Sequence, residues 1–151
     1  MTKVFNSTFE NSLRMLLLLE RFRDAELLER LYVTDFLAIY GKDFGITQEN
    51  LNGDNDFKYS EFQTRKRICE KALKELVLDG MVFPYADQSG ILYRLTDDGR
   101  RFAESLQSEY AAEYRDCADK AISYTSNYTT IRIIKAIHKI AADSVRGDGY
   151  E

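Results

Sequence analysis

The residues that could carry chemistry are few and far apart. The chain of 151 residues has one histidine and two cysteines. His138 stands among Arg132, Lys135, Lys139 and isoleucines. There is no second imidazole for a zinc site, and no Ser or Cys at a helix start lies beside it. It reads as a solvated surface histidine. Cys69 and Cys117 have no partner at metal-ligand spacing, and two thiols do not make a disulfide framework. Both fall in helical patterns among apolar neighbours, where cysteine behaves as a small buried hydrophobe, and such usage fits a reducing compartment. Asp97 and Asp98 are adjacent, so on a helix they do not face each other; they read as first-turn acids favoured by the helix dipole. Asn52, Asp54 and Asp56 alternate as calcium ligands do. However, the sixth loop position is not Gly, and Glu61 falls two places too early for the bidentate ligand. No G-x-x-x-x-G-K-[ST], G-x-G-x-x-G or H-E-x-x-H is present. The expectation is a protein with no catalytic residues, no cofactor, no metal and no small-molecule substrate.

What remains is binding. The helix that begins at Ser60 carries Gln63, Thr64, Arg65, Lys66 and Arg67 in its first turns, where a recognition helix meets base edges. Arginine reads guanine and also contacts phosphate. Lys71 and Lys74 extend the basic face, and Arg94 adds a cation from the hairpin that follows. These six residues, Arg65, Lys66, Arg67, Lys71, Lys74 and Arg94, are the candidate nucleic-acid contacts. Against them, Glu61, Glu70, Glu75 and Asp79 share the helix, so Ser60–Gly80 has a net charge of only +1. The hairpin tip carries Asp87 and no cation. A solvated helix face and a protein-docking surface are the competing readings.

The elements that must position these residues follow from periodicity. Ser7 and Glu10 form a capping box, opening a helix to about Phe22. Its centre, Met15–Leu19, is apolar on every side, which implies burial on two sides: either the helix is central to its own domain, or a partner covers it. Met15, Leu18 and Leu19 are therefore candidate partner contacts. A second helix is predicted from about Asp24 to Tyr40, with apolar residues at three- and four-residue steps and Gly41 as its stop. The helix from Ser60 to Asp79-Gly80 is the third. Two strands, Met81–Tyr85 and Ile91–Leu95, follow, the first confined to an edge by Pro84. Thr96 then caps a helix predicted to reach Tyr124 without interruption. Ala103, Leu106, Tyr110, Tyr114, Cys117, Ala121 and Tyr124 approximate a heptad seam along it. A helix of roughly 28 residues is about 42 Å long, more than the small domain can cover, so Tyr110 and Tyr114 join the candidate partner contacts. A last helix spans about Thr129 to Ala142, with Arg132, Lys135 and Lys139 as a basic stripe.

Three helices followed by a two-stranded wing give a fold that is mainly α with a small β-hairpin. It reads as a winged helix-turn-helix domain over residues 1–100, a C-terminal helical extension over 101–145 and a flexible tail over 146–151. Composition agrees with a globular chain: 44% apolar and 30% charged residues are ordinary usage. The net charge is −4, and acids outnumber bases by two on each side of Gly80. A basic half behind an acidic one, the usual footprint of a nucleic-acid protein, is therefore missing. The longest apolar run, Met15–Leu19, is far short of a membrane span, and with no signal peptide the expected location is the cytoplasm.

Two resemblances add to this reading. Leu73–Phe102, with LVLDGMV leading through ILYRLTDDGRRF, resembles the wing of MarR- and PadR-type regulators. A longer one covers roughly Phe5–Arg115, on the strings FNSTFENSLRMLLLLE, DFLAIYGKDFGI, NLNGDN, YSEF and LYRLTDDGRRFAESLQSEYAAEYR. It resembles the winged-helix middle component of bacterial ABC-three-component conflict systems, to which Lamassu-type antiphage defence is related. That resemblance implies a non-catalytic, kleisin-like adaptor. Its partners would be an ATPase like those that maintain chromosome structure and an effector such as a nuclease, with double-stranded DNA as a further contact within the assembly. The alternative is a dimeric winged-helix transcription regulator.

Overall fold

Ser7 opens the first helix as the capping box requires: its Oγ accepts from the Glu10 N–H at 3.1 Å. A computed structural model describes residues 7–51, 53 and 58–149, the side chains of 144–149 excepted. The elements are α1 (Thr8–Phe22), β1 (Glu26–Leu27), α2 (Leu28–Ile39), a 3-10 turn (Gly41–Phe44), α3 (Lys58–Leu78), β2 (Val82–Asp87), β3 (Gly90–Leu95), α4 (Asp97–Ser105), α5 (Glu109–Thr125) and α6 (Thr130–Gly149). The protein is thus mainly α, with one small antiparallel sheet in the order β1-β3-β2. The alternating Asn52–Asp56 segment, considered for calcium, falls mostly outside the described residues.

The core forms around α1. Met15, Leu16, Leu17, Leu18 and Leu19 are all 2% exposed or less, because α3, α4 and α5 pack around the helix. The all-round apolar run is therefore consumed inside the domain. This corrects the expectation that Met15, Leu18 and Leu19 face a partner: no exposed apolar surface is left on them to bury. Around them lie Leu31, Phe36, Leu37 and Ile39 of α2, and Phe62, Cys69, Leu73 and Leu76 of α3.

The second helix starts later than its pattern predicts. Glu26 and Leu27 are extended and pair with Tyr93 and Leu92 of β3, so the chain first joins the sheet and then enters α2. The hairpin is longer than read, with Asp87 opposite Gly90. Asp87 Oδ1 closes the turn by accepting from the Ser89 N–H at 2.7 Å and the Ser89 hydroxyl at 2.6 Å. Pro84 sits on β2, which has a partner on one side only, as an imino acid without an N–H requires.

The predicted uninterrupted helix from Thr96 to Tyr124 is in fact two helices. Leu106 is extended (φ −79°, ψ 105°), and Ser108 caps a new helix, its Oγ accepting from the Ala111 N–H at 3.1 Å. Arg115 bridges the break by donating to the carbonyls of Ala103 (2.7 Å) and Leu106 (2.8 Å). Its Nε donates to Glu20 of α1 at 2.9 Å. The break lets α5 re-aim, so that Ala111, Tyr114, Ala118, Ala121 and Thr125 face the core. The expected overhang of a single 42 Å rod is removed. At the start of α4, Gly99 lies so close to Met81 that a β-carbon there would be 1.9 Å from the Met81 carbonyl oxygen. The last helix runs past Ala142 to Gly149 and buries Ile133 and Ile137 beside α2.

Candidate interaction surfaces

The sequence-predicted residues separate into a buried set and an exposed set. Arg65, the candidate base reader, is 0% exposed. On α3 it is four residues before buried Cys69, on the face that packs against α1 and α2, so it cannot reach a ligand. This corrects its assignment as a nucleic-acid contact. Its guanidinium instead joins a buried polar centre. Arg65 Nη1 donates to Asn11 Oδ1 at 3.0 Å and lies 3.5 Å from Asp35 Oδ2. Its Nη2 lies 3.5 Å from Glu61. Arg14, also 0% exposed, places Nε 3.2 Å from Asp35 Oδ1 and donates through Nη2 to Asn11 Oδ1. Tyr114 is buried as well and donates its hydroxyl to Asp35 Oδ1 at 2.7 Å, which corrects its reading as a partner contact. Tyr110 is half-buried beside the same centre.

One carboxylate thus ties α1, α2, α3 and α5 together. Burial disfavours the charge on Arg14, but Asp35 and the tyrosines outweigh it and hold its proton more tightly than usual. Burial and then the Asp35 charge push the Tyr114 hydroxyl well above the ordinary range. Burial drives the Cys69 thiol up to about 12, with Asp35 adding to the effect. Cys69 is therefore a core residue and not a nucleophile. A signal for this centre did exist in the sequence. Arg14 borders the apolar run Met15–Leu19 and Asp35 lies between apolar stretches of α2, and a charge on a buried face requires a partner.

The exposed set lies on α3 and the hairpin. Lys66 is exposed and paired with Glu29 at 3.2 Å. Arg67, Lys71 and Lys74 are exposed at i, i+4 and i+7, one stripe of the helix. None has an ion pair among the described residues. Glu70 and Glu75 lie exposed beside them, so the surface is mixed in sign. Arg94 is exposed on β3, its guanidinium 4.9 Å over the Phe83 ring. Cys117 is half-buried, and His138 is exposed with its ring edge-on to Phe62 at 5.9 Å.

Among the described residues, no group of three or more His, Cys, Asp or Glu is placed to hold a metal ion. Nor, among the described residues, is any helix long and apolar enough to cross a membrane. The surface offers exposed helix faces, a mixed-charge stripe and scattered apolar side chains such as Ile131, 68% exposed. Such a surface suits a protein that works by contact with others. Residues 4–147 match the family described as ABC-three component (ABC-3C) system Middle Component 2, and the chain belongs to that family. It is accordingly a component of a multi-component system. Comparison with curated proteins and with solved structures gave no match.

Proposed function

We propose that this chain is a non-catalytic winged-helix adaptor of a bacterial antiphage or anti-plasmid complex. In this reading it bridges an ATPase of the chromosome-maintenance type and an effector such as a nuclease, in the manner of Lamassu-type systems. The observation that carries the proposal is membership of a middle-component family over nearly the whole chain. The element order supports the winged-helix part: α1, β1, α2 and α3 followed by a hairpin, with β1 completing the sheet. Because Met15, Leu18, Leu19 and Tyr114 are interior, docking falls to exposed apolar residues. The corner before α6 and the first turn of that helix offer Tyr128 and Ile131, 41% and 68% exposed. In this reading the chain divides at about residue 100 into a winged-helix unit and a helical extension, of which α5 packs against α1 and α2.

A second reading, a dimeric DNA-binding regulator, has the stripe Arg67–Lys71–Lys74 in its favour. Charge reversal of all three separates the two. A regulator binds duplex DNA alone, with steep salt dependence, and loses that binding on reversal. An adaptor shows no duplex binding alone at physiological salt, and reversal leaves its assembly with partners intact.

A further inference from the structure

A second cationic site lies on the other face of the sheet. Successive strand residues point to opposite faces. Tyr93 packs against the hydrophobic core, so Arg94, the next residue on β3, points to the opposite face. There it lines a cleft with Arg23, Arg100, Tyr85 and Asp24, between the end of α1, β3 and the start of α4. Arg14, Arg21, Arg65, Arg101 and Arg115 each lie within 4.0 Å of a carboxylate. Arg23, Arg94 and Arg100 form no ion pair among the described residues, although Asp24 shares their cleft. Three guanidiniums against one carboxylate leave the cleft net positive. Arg23 also occupies a left-handed backbone position (φ 72°), the only non-glycine with positive φ among the described residues. That conformation is disfavoured for a residue with a β-carbon, and glycine is the usual occupant of a helix C-cap of this kind.

The cleft opens onto an aromatic shelf. Tyr85, which lines it, stacks against Phe83 with ring centres 6.4 Å apart and planes 29° apart. Phe83 and Tyr85 are 46% and 40% exposed, with the Arg94 guanidinium 4.9 Å from the Phe83 ring centre. Planar guanidinium forks match phosphate oxygens, and exposed aromatic faces stack on unpaired bases. An acidic peptide would engage the arginines but leave the shelf unused. Duplex DNA hides its base faces.

We propose that this cleft and shelf bind single-stranded nucleic acid, with backbone phosphate held among Arg23, Arg94 and Arg100 and bases lying against Tyr85 and Phe83. The site is independent of the adaptor reading and of the α3 stripe. The test is fluorescence anisotropy of the full chain with a short fluorescein-labelled oligothymidylate across a salt series. Binding is expected with a log–log salt slope of about −2, near 0.7 for each of three phosphates. Arg94→Ala with Arg100→Ala should weaken it at least about tenfold, and Tyr85→Ala about five- to tenfold through lost stacking. Reversal of Arg67, Lys71 and Lys74 should leave it unchanged. Equal binding of blunt duplex, equal competition by polyglutamate, or affinity indifferent to Tyr85→Ala in a folded variant would each overturn the proposal. Competition by polyglutamate would assign the cleft to an acidic protein segment.

Discussion

Replacing Asp35 with Asn removes one charge and almost no volume, so its consequence can be worked from the contacts. Asp35 is 0% exposed and faces two buried guanidiniums, Arg14 at 3.2 Å and Arg65 at 3.5 Å. In the variant, Arg14 loses its carboxylate at 3.2 Å and keeps Asn11 and Tyr110 among its partners. Arg65 keeps Glu61 at 3.5 Å, and the Tyr114 hydroxyl can still donate to the amide oxygen. Removing one partner of a buried ion pair costs about 3–5 kcal/mol. The retained acceptor and Glu61 place this case at the lower end, about 3 kcal/mol. Against a total stability of about 5–15 kcal/mol, that is a large fraction. Urea unfolding followed by circular dichroism, with a slope of about 2 kcal/mol per molar, should show the midpoint fall by about 1.5 M. Joint replacement of Arg14, Asp35 and Arg65 by apolar residues of similar volume should recover most of the loss, since no unpaired charge remains. A midpoint for Asp35→Asn within about 0.3 M of the parent would refute the reasoning. It would mean that the two guanidiniums do not depend on this carboxylate.

Gly99→Ala should destabilise by about 3 kcal/mol, because the new carbon meets the Met81 carbonyl at 1.9 Å and backbone must move; thermal melting reads it. Thiol labelling with a disulfide reagent near pH 8 should modify half-buried Cys117 in the native protein and Cys69 only on unfolding, given its complete burial and raised pKa; equal rates for the two would contradict this. Stability should also fall on the alkaline side. The Cys69 thiol rises from an ordinary 9.0 to about 12 in the fold, so above pH 9 the unfolded chain releases that proton first and is favoured until about pH 12. Buried Tyr114, also raised by burial and by Asp35, adds a loss of the same sign above pH 10. A urea midpoint constant between pH 8 and 11 would contradict both assignments.

Much of the architecture was legible because local chemistry and tertiary packing agree. Ser7 and Thr96 cap the helices their neighbours predict, and the steps of Leu31, Phe36 and Leu37 mark the buried face of α2. Two features were hidden for physical reasons. The break at Leu106–Ser108 lies in a stretch whose apolar steps continue smoothly, so periodicity alone favours one helix. The break is held by Arg115 across a tertiary contact. A two-residue strand such as Glu26–Leu27 has no period to read, and only its pairing to β3 defines it. The site residues divide in the same way. Lys66, Arg67, Lys71, Lys74 and Arg94 are exposed as expected. Arg65 is one position from Lys66, yet points inward, because a step of one residue turns a helix by about 100°. Arg23 and Arg100 were missed because their convergence with Arg94 exists only in three dimensions.

The central claim is that this middle component works inside an assembly. Its most direct test is affinity purification of the tagged chain, expressed from its native gene neighbourhood, followed by light scattering and mass spectrometry of what is retained. A large ATPase and a further subunit are expected in fixed ratio with the chain, with retention weakened by Tyr128→Ala and Ile131→Ala. Recovery of the chain alone, as a dimer that shifts duplex DNA at physiological salt, would contradict it.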